Sequence, residues 1–183
     1  MEPLDVRATL EYLVYTGEKP IYYASVGGAD AALKISAQFE RREVLVHDAS
    51  AWTSPPSLDR EGFTLVEQPS SVADFYAERD AWVASYEEEL EQLVLRATGG
   101  AEILVFDHTL RSDSERVRGD RVTREPATVI HNDYTNASAA RRVRDLLPGQ
   151  QAERWLAGRF AIVNAWRSVA GPVVTTPLAC CDA

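Results

Sequence analysis

Short apolar, β-branched runs recur along nearly the whole chain, each closed by Gly, Pro or a polar cluster, and only some are separated by helical periodicity. That punctuation most restricts the fold. Ala8–Val14 reads as a strand followed by a turn over Tyr15–Pro20, with a second break at Gly27–Gly28. Glu43–Asp48, Phe63–Val66, Ala101–Phe106, Arg159–Arg167 and Pro172–Leu178 are further strand candidates, and the residues around Pro55-Pro56 read as loop. One long helix is predicted over Val72–Ala97, because Phe75, Trp82, Tyr86, Leu90, Leu93 and Val94 recur mostly at three- and four-residue steps. Ser70 or Ser71 is placed to cap it, with Asp74 in its first turn and Gly99-Gly100 ending it. Two shorter helices follow, one from a cap at Asn136 or Ser138 to Leu147 and one over Gln151–Leu156, with Pro148-Gly149 between them. The expected class is α+β or mainly β, built around a sandwich or barrel in one domain over residues 1–183.

A chain of 183 residues can bury a substantial core, and 45% hydrophobic with 26% charged residues is an ordinary globular mixture. A net charge of -9 argues against a general phosphate-binding surface, and hence against a nucleic-acid partner. No apolar run has the length of a membrane span, and Met1–Asp5 has neither the basic nor the apolar part of a signal peptide. The only cysteines, Cys180 and Cys181, are adjacent, so neither a disulfide nor zinc-site spacing is indicated; a reducing cytoplasm is expected. Glu87, Glu88, Glu89 and Glu91 resemble an acidic metal cluster, but on the long helix they read as its solvated face. Ser112–Glu125 is almost wholly polar and reads as a long exposed loop, entered by Arg111 and carrying Arg116, Arg118, Arg121 and Arg124; as a lid it would meet an anionic substrate.

The stretch with the most chemistry is Pro126-Ala127-Thr128-Val129-Ile130-His131-Asn132-Asp133-Tyr134-Thr135. On a strand, residues two apart point to one face, so His131 and Asp133 would share a space. A neutral imidazole and a carboxylate in that relation are two of the three ligands of a facial Fe(II) triad. Spacing alone is unspecific: with 28 acidic residues and three histidines, about 0.5 such pairs arise by chance.

Three segments in order are more distinctive. They are Val105-Phe106-Asp107-His108-Thr109-Leu110-Arg111, the stretch Val129–Thr135, and Phe160-Ala161-Ile162-Val163-Asn164-Ala165-Trp166-Arg167. The last is followed by Gly171-Pro172, Pro177-Leu178-Ala179 and Asp182. Together they resemble the CmcJ/NvfI-type non-haem Fe(II)/2-oxoglutarate oxidoreductases, over roughly residues 8 to 183. The resemblance implies a double-stranded β-helix (jelly-roll) core with flanking helices, Fe(II) as metal, and 2-oxoglutarate and O2 as cosubstrates. It implies hydroxylation or desaturation of a small natural-product-like molecule, with His131 and Asp133 as metal ligands. Arg167 and Asn164 would contact the keto-acid, and Arg111, His108, Tyr134 and Trp166 would line the substrate pocket. It also places the distal His ligand in a continuation beyond Asp182, so the chain is expected to be C-terminally incomplete. A jelly-roll that has lost the chemistry and binds a small molecule or assists a partner enzyme is the alternative. Incomplete sheets leave edges, for which a homodimer is expected.

Overall fold

The computed structural model describes residues 5–18, 20–23, 34–120, 123–127 and 129–182. The expected break at Gly27–Gly28, Arg121 of the polar loop, and Thr128 of the His131 stretch lie outside them. In chain order the elements are β1 (Val6–Leu13), β2 (Ile21–Tyr23), β3 (Lys34–Ser36), β4 (Phe39–Val46), α1 (Val83–Thr98), α2 (Glu115–Asp120), α3 (Asn136–Leu146) and α4 (Gly149–Ala157). The mixture of helix and strand agrees with the expected class. Two compact units divide the chain: residues 1–67, 109–130 and 172–183 form the first, and 68–108 with 131–171 the second.

The first unit is built on an antiparallel ribbon of β1 with β4, in register from Val6↔Val46 to Leu13↔Phe39; β2 and β3 form a second antiparallel pair. Alternation assigns the two faces of the β1–β4 ribbon. Ala8, Leu10 and Tyr12 are half-buried on one face with Val44 and Val46 across from them, and the Arg42 guanidinium lies 5.7 Å from the centre of the Tyr12 ring. The other face mixes exposed Leu13, Phe39 and Leu45 with ion pairs, Arg7 meeting Glu43 at 3.1 Å and Arg41 meeting Glu11 at 3.8 Å. These pairs set register more than stability, since exposed ion pairs contribute about 0–1 kcal/mol.

Ser112–Glu125 is not wholly loop. Its middle closes into the six-residue α2, and its ends are tied by bonds from the Ser112 amide to the Arg124 carbonyl and from the Arg124 amide to the Leu110 carbonyl. Arg111 donates to the Glu125 carbonyl at 2.8 Å, and Arg118 reaches both the Ser112 carbonyl and the Glu125 carboxylate. Two of the arginines suggested for an anionic substrate therefore hold this excursion closed.

The second unit is helical and holds the described hydrophobic core: Phe75, Trp82, Tyr86, Leu90, Val143 and Ala152. The periodic stripe read from the sequence is the buried face of α1, but the helix begins at Val83 and not at Val72. Between Val72 and Val83 the helical part is a single 3-10 turn, Arg79–Ala81. Phe75 nevertheless joins the stripe, packing edge-on to Tyr86 at 4.9 Å and tilted to Trp82 at 5.4 Å. Aromatic residues thus kept a helical rhythm through a segment that is not helix. Ser70 and Ser71 do not cap α1; both hydroxyls donate to the Glu89 carboxylate on its second turn. Gly99 does end it, at φ 67 with its amide bonded to the Leu95 carbonyl.

α3 and α4 form a helical hairpin tied by Arg144–Glu153 at 2.8 Å, with Val143 and Ala152 buried. The cap of α3 is Thr135, one residue before the expected Asn136: its hydroxyl accepts from the Ser138 amide, and the Ser138 hydroxyl accepts from the Thr135 amide. Phe63–Val66, Ala101–Phe106, Arg159–Arg167 and Pro172–Leu178, all expected as strands, carry no ladder among the described residues. β-branched composition favours strand geometry, but a strand needs a neighbour to satisfy its amides, and none of these segments has one there.

Candidate metal site

His131 and Asp133 lie outside the described helices and strands, on a stretch that runs directly into α3. The two-residue spacing does what it does on a strand: His131 Nε2 and Asp133 Oδ1 stand 3.4 Å apart. Both side chains are partly open, at 43% and 44% exposure, so the pair is accessible. The following two residues, Tyr134 and the capping Thr135, pass the chain into the helix, which limits how far Asp133 can move.

Opposite this pair runs the segment Phe160–Arg167. Asn164 donates from Nδ2 to Asp133 Oδ2 at 2.7 Å. Arg167, three residues on, reaches the other way: it donates to the Gln68 carbonyl at 2.6 Å and its guanidinium lies 5.5 Å from the centre of the Tyr86 ring. Burial raises the Tyr86 hydroxyl above its ordinary pKa, against the opposing pull of the Arg167 charge. Asn164 therefore stands beside the candidate ligand, whereas Arg167, expected at the keto-acid, is engaged in the aromatic core. Trp166 is 52% exposed.

His108 also belongs to that core. Its side chain is 8% exposed, it contacts the Glu87 carboxylate at 2.9 Å, and its ring meets Trp82 edge-on at 5.5 Å. In this structure the ring and Nε2 of His108, expected at the substrate pocket, are both engaged by Trp82, Tyr86 and Glu87. Glu87 and Glu89 correct the reading of one solvated acidic face: Glu87 pairs with His108, and Glu89 accepts from Ser70 and Ser71, which hold its carboxyl below the ordinary range. Arg111 lies in the first unit, bonded to Glu125.

One concavity is lined by Asp133, and a second shares two of its lining residues. The first, of about 160 Å³, is lined by Asn132, Asp133, Tyr134, Ile162 and Asn164. The second, of about 320 Å³, shares Tyr134 and Ile162 and adds Thr135, Ala139 and Phe160 among others. Phe160, Ile162 and Asn132 were not singled out in the sequence. Period-two alternation from Asn164 back to Ile162 and Phe160 is the signal that finds two of them.

Imidazole nitrogen and carboxylate oxygen suit a divalent first-row ion. Two donors at about 2.1 Å from one ion, roughly at right angles, stand about 3 Å apart, close to the observed separation. The pair therefore fits a metal. No group of three or more His, Cys, Asp or Glu arranged for a metal occurs among the described residues.

Residues 10–183 match the family described as "Oxidoreductase/YMDC permease-like domain". The chain belongs to this family. The chain is 28% identical over 177 residues to the hydroxylase/desaturase CTB9 of Cercospora beticola, covering 91% of this chain and 52% of that protein. It is 29% identical over 171 residues to the Fe(II)/2-oxoglutarate-dependent dioxygenase nvfI of Aspergillus novofumigatus, covering 91% and 60%. Among solved structures it shares the fold of the iron and alpha-ketoglutarate-dependent endoperoxidase NvfI, with a TM-score of 0.59 and 22% identity, over 84% of this chain and 55% of that one. The resemblance read from the three segments is thereby borne out. The chain spans between half and three-fifths of the length of these relatives. No helix among the described residues is long and apolar enough to cross a membrane.

Proposed function

We propose that this chain works as an Fe(II)/2-oxoglutarate-dependent oxygenase in which His131 and Asp133 are metal ligands. The substrate is a small natural-product-like molecule, and the reaction a hydroxylation or desaturation. The observation that carries this reading is the His131–Asp133 contact of 3.4 Å on an accessible face in a member of this oxidoreductase family. The jelly-roll core is part of the same proposal, supported by the fold shared with the endoperoxidase.

Iron with 2-oxoglutarate and O2 supplies, when bound, the oxidising power to remove hydrogen from an unactivated C–H bond. The chain's own residues do the rest. His131 through its imidazole and Asp133 through its carboxylate would hold the ion. Asn164 fixes the carboxylate. The 320 Å³ concavity, whose walls include Phe160, Ile162 and Ala139 with the Tyr134 and Thr135 side chains, suits an uncharged, largely apolar body with one or two polar groups. Since it shares Tyr134 and Ile162 with the smaller concavity at Asp133, a molecule seated there is brought beside the ion.

The test is anaerobic titration of the chain with Fe(II), with and without 2-oxoglutarate, following the metal-to-keto-acid charge-transfer absorption. A saturable band that disappears in His131→Ala is expected. A folded chain that gives neither the band nor saturable Fe(II) binding would refute the proposal and favour a small-molecule-binding or partner-assisting role without iron.

A further inference from the structure

We propose that Asn164 is a positioning residue for the metal-binding carboxylate, holding Asp133 so that one oxygen is committed to the protein and the other faces the ion. This rests on the reading of His131 and Asp133 as ligands, and assigns work to a residue 31 positions away in the chain. The two oxygens of Asp133 have different neighbours: Oδ2 accepts from Asn164 Nδ2 at 2.7 Å, whereas Oδ1 faces His131 Nε2 at 3.4 Å. An ionised carboxylate only accepts hydrogen bonds, so the amide must present its nitrogen there, and the orientation of Asn164 follows.

The chemistry of an amide suits this task better than the alternatives. A Lys or Arg in its place would hold Asp133 more tightly, but would put a positive charge where a cation must bind. A second carboxylate would repel Asp133 in the absence of metal. The neutral amide fixes the side chain and leaves its charge intact. Fixing is needed because Asp133 is 44% exposed and, unrestrained, would lose rotamer freedom on every binding event. With Oδ2 engaged, Oδ1 is the oxygen left to bind a cation. Partners of this kind typically change metal affinity by about 10- to 100-fold.

The test is Mn(II) binding, read from the electron paramagnetic resonance signal of the free ion, with thermal unfolding of the metal-free proteins alongside. The wild-type chain, His131→Ala, Asn164→Ala and Asn164→Gln are compared. Asn164→Ala is expected to bind Mn(II) about 10-fold or more weakly with an unchanged metal-free midpoint. Asn164→Gln, which keeps the amide, is expected to recover part of the loss. If wild type binds, His131→Ala does not, and Asn164→Ala binds as wild type does, the positioning role is overturned and the ligand assignment stands. If wild type fails to bind, or His131→Ala binds equally well, the ligand assignment itself falls. A lowered metal-free midpoint in Asn164→Ala, without rescue by Asn164→Gln, would assign the side chain to the fold and overturn the proposal.

Discussion

Two histidines of this chain are separated by function, and substituting each should give opposite results. His108 is 8% exposed, bonded to Glu87 and packed on Trp82 and Tyr86. Replacing it with Ala removes a hydrogen bond to a half-exposed carboxylate, about 1 kcal/mol net. It also removes an edge-on aromatic contact of about 0.5–1.5 kcal/mol, and leaves a partly filled space beside Trp82. The sum is about 2–4 kcal/mol, which for a urea dependence of about 2 kcal/mol per molar lowers the unfolding midpoint by about 1–2 M. His131 is 43% exposed, so His131→Ala should change stability by no more than about 0.5 kcal/mol while removing Fe(II) binding. The assay is urea unfolding followed by tryptophan fluorescence and far-ultraviolet circular dichroism, with Fe(II) titration of each variant under native conditions. A His108→Ala protein with an unshifted midpoint and impaired metal binding would refute the division of roles.

Other consequences are open to simpler tests. Glu89, held below the ordinary carboxylate range chiefly by the Ser71 hydroxyl and then by that of Ser70, contributes stability above the unfolded carboxylate pKa that is lost as pH falls through its folded one. Glu89→Gln should therefore lose less stability than wild type between pH 7 and pH 3, measured by urea midpoints at both. Thr135→Ala removes half of the capping box of α3 and should cost about 1 kcal/mol, seen as a lower thermal midpoint; no change would mean that the box does not hold the helix start in solution. Gly99→Ala meets no clash but must take up φ 67, and should cost about 1 kcal/mol by the same measurement. Among the described residues β1 pairs only with β4, so light scattering should show association growing with concentration, and a monomer at all concentrations would contradict that.

The parts legible in the sequence share a physical cause. The end of α1 at Gly99, the stop of α3 before Pro148, most of β1 and the second half of β4 follow from local sterics and from short periodic patterns. The start of α1 was not legible, because Phe75 keeps the helical spacing for a packing reason and the Ser70 and Ser71 hydroxyls have a carboxylate to bind 18 or 19 residues on. The relation of His131 to Asp133 is carried by two peptide units of chain and could be read directly. That of Asn164 to Asp133, and of His108 to Glu87, depends on folding across 31 and 21 residues, which no local rule contains. Arg167 illustrates the limit: one residue type serves a carboxylate, a carbonyl or a ring equally well, and here it took the carbonyl of Gln68 and the ring of Tyr86.

The reciprocal cap of α3 begins two residues after Asp133, and that adjacency ties two kinds of motion together. When the first turn frays, the Thr135–Ser138 latch opens and the backbone of Asp133 is released with it. Capture of an ion by Asp133 should correspondingly slow that fraying. Amide hydrogen exchange then becomes a gauge of occupancy: the amide of Ala139, bonded to the Thr135 carbonyl, should exchange more slowly with Mn(II) present, while amides in the middle of α4 should keep their rate. The helix start would act as a reporter for a pair of ligands, His131 and Asp133, that are not among its own residues.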